Sequence, residues 1–278
     1  GVLAALGYVR ADPEAEAWQH HWVFAREVAH GVAITVELHR RAMASPPYDR
    51  LLDADDLLDR SIELPIAEST DVGLRGCRTV QGVAAAWRVP ALVDCLLHLA
   101  GHLVLQHAGE ERLIWVSDIH RVARAGREDP VFWLQVCERA EAARLARSVA
   151  DALRMSAFWF GTPIARPVLA TLDESVSPDE KQSYRRLRTR APVGREGARA
   201  LTDARGIAPL SDRLRYALAY AFPSPDYMRA RYRPGCPPAL PVYYVRRLLT
   251  GIGDVLRHLL EGRSRPAEEP PERRMVAP

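Results

Sequence analysis

His20 to His39 reads HHWVFAREVAHGVAITVELH, and the reading of this stretch decides the fold. Two apolar-rich runs flank His30-Gly31, the kind of turn signal that closes a β-hairpin. In the second run Val32, Ile34, Val36 and Leu38 alternate with Ala33, Thr35, Glu37 and His39. Side chains along a strand alternate between faces, so the four aliphatics are expected on one face and Glu37 and His39 on the other. The hairpin is the one clear strand pair in the chain, and it ends in a carboxylate and an imidazole.

Outward from the hairpin the patterns turn helical. Val2, Leu3 and Leu6 before Gly7-Tyr8 read as the end of a helix with a glycine cap. Asp53-Ala54-Asp55 opens a short helix, with Asp53 as its cap and Leu57 and Leu58 inward. Ser61 to Leu64 suits a short strand, and Arg78 to Arg88 suits one or two more. Pro90 suits the first turn of a helix to about Gln106. A turn at His107-Ala108-Gly109 leads into a return helix from Glu110 to Ala125, closed by Gly126. Asp129-Pro130 predicts one long helix to Phe160, broken by Gly161-Thr162-Pro163. Further helices are expected over Ile164–Leu172, Pro178–Thr189, Ser211–Ala221, Pro225–Tyr232 and Pro241–Leu260. Arg190 to Pro209 reads as a mobile connection, and Trp115, Trp133, Phe158 and Trp159 as core.

The fold class expected is therefore α+β and mostly helical, with a small mixed or antiparallel sheet followed by a helical region. The expected division is an α/β core over residues 1–88, a helical domain over 89–262 and a disordered tail over 263–278. The 278 residues carry 48% hydrophobic and 26% charged side chains, ordinary for a soluble globular protein. The net charge of +3 is too small to argue for nucleic acid or an anionic membrane. Lys181 is the only lysine, so arginine abundance reflects composition and is poor evidence for phosphate binding. Cys77, Cys95, Cys137 and Cys236 form no CxxC pair and read as free thiols of a cytoplasmic protein. No apolar run reaches the length of a membrane span.

A set of landmarks in fixed order carries a family resemblance. They are Leu6-Gly7-Tyr8, VELH at Val36–His39, DADDLLDR at Asp53–Arg60, LLHLAGH at Leu96–His102, LIWVSDIHRVAR at Leu113–Arg124 and FPSPDYMRARY at Phe222–Tyr232. Their order resembles the uncharacterised bacterial nucleotidyltransferase-like family of the polymerase-β-like superfamily. The resemblance implies transfer of a nucleoside monophosphate from an NTP to an acceptor hydroxyl. It also implies Mg²⁺ held by two aspartates of a DxD strand, after a Gly-Ser turn, and by a third carboxylate on a later strand. Glu37 matches that third position, as catalytic residue and metal ligand. Clustered acids suit the reaction because Mg²⁺ prefers oxygen ligands and bridges them to phosphates.

No Gly-Ser…DxD stretch stands ahead of Gly7. Asp53-Ala54-Asp55 has the spacing but follows the Glu37 strand and reads as a helix cap. The start at Gly1 rather than Met suggests a truncated piece, expected to be catalytically inactive as given, with the motif encoded upstream. A non-catalytic nucleotide- or partner-binding module on the same fold is the alternative.

Each candidate side chain has a plainer reading beside the functional one. Glu37 is a metal ligand or base, or an exposed strand glutamate. His39 contacts phosphate, or pairs with an aromatic such as Trp22. Asp94, His98 and His102 recur every four residues and form one helical stripe. His98 and Asp118 lie equally far from the turn near Ala108, so they are expected to face each other. His39, His98, His102 and Asp118 line a nucleotide or acceptor cleft on this reading. A structural His–Asp hydrogen bond is the plainer reading, and a metal-dependent hydrolase site of His98, His102 and Asp118 a weaker one. The Arg/Tyr helices at Tyr227–Arg233 and Tyr243–Arg247 grip phosphate or are simply amphipathic. The acceptor, a small molecule or a peptide, is not named by any motif.

Overall fold

The computed structural model describes residues 2–10, 21–29, 31–43, 45, 48, 52–65, 86–107, 112–189, 191, 194–232 and 240–264. The fold is α+β and mostly helical. A short helix α1 (Val2–Ala5) is closed by Gly7, whose positive φ of 81° lets Tyr8 N–H reach back to the Leu3 carbonyl. The chain enters β1 (Val9–Arg10), which pairs antiparallel with β2 (His21–Ala29). β2 pairs in turn with β3 (Val32–His39), giving a three-stranded sheet in sequence order. Gly31 supplies the left-handed backbone of the turn at φ 78°.

A second pair joins β4 (Ile62–Pro65), at the short strand expected over Ser61 to Leu64, with β5 (Ala86–Val89). Much of the strand expected over Arg78 to Arg88 lies outside the described residues. Between the two sheets, α2 (Ala54–Asp59) starts at Asp53, whose carboxylate accepts from the Asp55 N–H at 3.0 Å. That hydrogen bond makes Asp53-Ala54-Asp55 a helix start.

The core is built by α3 (Leu92–Gly101), a π-helical turn (His102–Gln106), α4 (Leu113–Ala125), α5 (Pro130–Ala142) and α6 (Ala146–Phe160). Leu96, Val116, Ile119, Val136, Leu145, Val149 and Leu153 are fully buried where these helices meet. Met43, Tyr48 and Leu52, from the connection after β3, are buried in the same cluster. α7 (Arg166–Glu174) and α8 (Pro178–Arg188) add Leu172 and Leu187. α9 (Glu196–Gly206), α10 (Leu210–Ala221), α11 (Pro225–Tyr232) and α12 (Leu240–Ser264) follow. Ala200, Ile207 and Tyr216 of this last part form a small separate cluster.

Three expectations are corrected, and one face lies open. The long helix after Asp129 is two helices, because the chain turns at Arg144, with φ 53°, before Leu145. Arg190 to Pro209 holds α9, whose alanines favour helix and whose Gly197 packs against α12. Phe158 and Trp159 are exposed at the end of α6, although Trp133 is buried as expected. The aliphatic face of β3 is exposed too, with Val32 at 60%, because no described element covers it.

Within the core, Glu180 is 1% exposed and its carboxylate accepts from the Arg147 N–H at 2.7 Å. Burial pushes this carboxyl up to about 6, against an ordinary value of 4.5. The folded state therefore holds the proton more tightly than the unfolded chain. The stability this provides is complete below pH 4.5 and lost as the pH rises through 6. Glu180→Gln keeps the acceptor oxygen and removes the charge. Urea unfolding above pH 6 is expected to show the variant more stable by on the order of 1 kcal/mol, with the gain vanishing below pH 4.5.

Candidate functional site

The register of the hairpin builds the first part of the site. His21 is the cross-strand partner of His39, and Val23 that of Glu37. Directly opposed residues share a face, and so do residues two apart on one strand. His21, Glu37 and His39 therefore stand together on the face opposite the exposed aliphatics. One nitrogen or oxygen from each lies within 4.8 Å of the others. His39 Nε2 is 3.6 Å from Glu37 Oε2, and the His21 and His39 rings are 5.3 Å apart. Among the described residues this is the one group of three His, Cys, Asp or Glu side chains so converged.

From His39 the imidazoles continue into the helices. The His98 ring of α3 meets His39 edge-on at 6.4 Å, and His98 and His102 are 6.1 Å apart. His102 lies 4.6 Å from His107, and both pack on Trp115 of α4. Burial, and then the neighbouring His39 charge, lower the pKa of His98; a hydrogen bond to the Ala42 backbone opposes them. Its Nδ1 is buried without a hydrogen-bond partner. Burial and the other histidines, His107 first, bring His102 down to about 4. Both rings are thus neutral at pH 7, able to donate or accept a hydrogen bond but carrying no charge. The π-helical turn at 102–106 brings His102 and His107 into this row through the bond from His107 N–H to the His102 carbonyl. Such turns recur at functional sites.

Beside this row lies a cavity of about 530 Å³ between β3, α2, α3 and α4. Its charged and polar lining comprises His39, Arg41, Asp94, His98, Asp118 and Arg121. Ala54, Leu57, Leu58, Leu99 and Val122 supply the apolar part. The volume lies in the range of small-molecule sites. Asp94 is wholly buried, and its carboxylate accepts from Arg60 Nε at 3.1 Å and from Arg139 at 2.9 Å. Two guanidinium groups thus answer its charge, leaving Asp118 to be set against Arg41 and Arg121.

The structure brings His39, His98 and Asp118 to one cavity, and places Glu37 and His102 next to it through His39 and His98. His98, His102 and Asp118 do not converge as a metal-binding group among the described residues. Arg247 on α12 is 7% exposed, stacks over Tyr220 and Tyr227, and donates to the Tyr220 carbonyl. His21 was not singled out from the sequence, yet the turn centred at residue 30 pairs position 21 with 39. Arg41 and Arg121 carried no sequence signal.

An Mg²⁺ ion demands oxygen ligands in near-octahedral array. Among the described residues the group around Glu37 offers one carboxylate and two imidazoles, a donor set that does not fit Mg²⁺.

Residues 1–161 match the model of a protein family described as an uncharacterised nucleotidyltransferase. The matched span contains every residue of the cavity and of the histidine row. No curated protein and no solved structure matches the chain. Among the described residues, no helix is long and apolar enough to cross a membrane.

Proposed function

The chain belongs to the uncharacterised nucleotidyltransferase family, and from that premise we propose that the cavity beside His39 receives the nucleotide. The reaction class is transfer of a nucleoside monophosphate from an NTP, delivered as its Mg²⁺ complex, to an acceptor hydroxyl. One observation carries the placement: Arg121 lines this cavity beside His39, His98, Asp118 and an apolar wall, and the buried Asp94 carboxylate is already neutralised by Arg60 and Arg139. An excess of guanidinium charge in a partly desolvated cleft favours phosphate. The apolar wall of Leu57, Leu58 and Val122 suits a base or ribose face. His98, neutral and with a free-standing Nδ1, would bond the ligand without adding charge.

Glu37 is the catalytic carboxylate of this reading, beside the cavity and two residues from His39. Among the described residues it stands without a second acid in its group. These 278 residues are therefore proposed to bind nucleotide without turning it over. The rival reading is a module that binds a nucleotide or a partner on the same fold and serves no transfer at all.

Calorimetry with ATP and Mg²⁺ tests the placement, followed by an assay for transfer of a labelled α-phosphate to hydroxyl acceptors. Saturable binding is expected, weakened about tenfold by Arg121→Ala, the loss of one charge-assisted contact. Binding unchanged in that variant would sink the placement in this cavity. Transfer by the chain as it stands would overturn the proposal of binding alone.

A further inference from the structure

The mismatch between Mg²⁺ and the donors at Glu37 points elsewhere. We propose that His21, Glu37 and His39 form a binding site for a borderline divalent transition metal, of which Zn²⁺ is the probe of choice. The inference stands apart from the nucleotide reading and does not need it to be right.

Two imidazoles and one carboxylate are the donor set that suits Zn²⁺ and its neighbours and disfavours Mg²⁺. The distances agree with one shared ion. Tetrahedral ligands at about 2.0 Å from a metal lie about 3.3 Å from each other. His39 Nε2 and Glu37 Oε2 are already 3.6 Å apart. Two imidazoles bound to the same tetrahedral ion have ring centres roughly 5.2 Å apart, from the same metal–nitrogen distance and the ring's own radius. The His21 and His39 rings stand at 5.3 Å. The widest separation among the three donors is within 4.8 Å, so side-chain rotations that bring them together by about 1.5 Å close the set.

The placement is also preorganised. His21 and His39 are opposed across a hydrogen-bonded ladder, and Glu37 shares their face by strand alternation. Ligands on paired strands lose less freedom on binding than ligands on loops. Three protein ligands leave a fourth position for an outside donor. His39 also lines the cavity with His98, so that position is suited to an anionic oxygen such as a phosphate.

The full chain, freed of metal with a chelator, is titrated with Zn²⁺ in the absence of nucleotide. One equivalent is expected to bind, and Co²⁺ in its place to show the intense visible bands of a tetrahedral N/O site. A large excess of Mg²⁺ should not displace it. His21→Ala and Glu37→Gln, with folding verified by circular dichroism, are expected each to weaken Zn²⁺ binding at least tenfold. His258→Ala on α12 serves as the control. Binding that survives in the folded His21→Ala/His39→Ala variant, absence of binding in the wild type, or full displacement by Mg²⁺ would overturn the proposal. None of these results depends on whether ATP binds.

Discussion

Asp94→Ala is expected to destabilise the protein by about 3 kcal/mol, the low end of the cost of breaking a buried ion pair. The carboxylate is wholly buried and accepts from Arg60 Nε at 3.1 Å, Arg60 Nη2 at 3.3 Å and Arg139 Nη1 at 2.9 Å. Arg60 caps α2 and Arg139 belongs to α5, so one side chain on α3 ties three elements together. Removing it leaves two guanidinium groups facing each other around a void. Both arginines keep about a third of their side chains in water, which holds the estimate at the lower end. Asp94→Asn keeps the volume and one acceptor and should lose less, about 1.5–3 kcal/mol. Urea unfolding of the two variants checks the order. A loss under about 1 kcal/mol for Asp94→Ala would place the triad with surface ion pairs. The effect should reach the cavity too, because Ala54, Leu57 and Leu58 of α2 form one of its walls. Nucleotide binding is expected to weaken in Asp94→Ala at temperatures where the protein remains folded.

Gly197→Ala is expected to cost about 2–3 kcal/mol, from forced overpacking. A Cβ at Gly197 would lie 2.4 Å from the Gly251 carbonyl oxygen and 2.6 Å from its Cα. These are backbone atoms of α12, so relief requires α9 and α12 to move apart. The helix-propensity gain of alanine over glycine, about 1 kcal/mol, offsets only part of that. The crossing is asymmetric: a Cβ at Gly251 would meet nothing nearer than the Gly197 Cα at 4.0 Å. Gly251→Ala should therefore be neutral or stabilising. Thermal unfolding of the pair separates close packing from a general intolerance of substitution. Equal losses at both positions would contradict the close approach of α9 and α12. Arg195 to Glu261 and Arg231 to Glu196 also link these last helices to one another. They are exposed pairs and contribute little.

Local chemistry was legible without coordinates. Asp53 and Asp129 were readable as helix starts because a short polar side chain followed by a helical pattern has one obvious hydrogen bond to make, and each makes it. The hairpin was readable because alternation and a glycine turn are local properties. The family resemblance rested on short motifs in order; the match over residues 1–161 agrees with those up to Leu113–Arg124, and FPSPDYMRARY lies beyond the matched span. Burial was less legible. The aliphatic rows of β3 and α12 look like core faces, yet Val32, Leu249 and Leu260 are all exposed, because periodicity indicates which side chains share a face and not whether anything covers it.

The site divides along the same line. Sequence by itself determined that Glu37 and His39 share a strand face and that His98 and His102 share a helix face, since both follow from backbone period. Only the tertiary structure decided that His39 meets His98 and that Arg41 and Arg121 line one cavity. Those relations join residues tens of positions apart, through strand register and helix packing. The order of residues along a chain does not encode such distances directly; they arise when buried groups such as Leu96 and Asp94 find the one arrangement that satisfies both packing and charge.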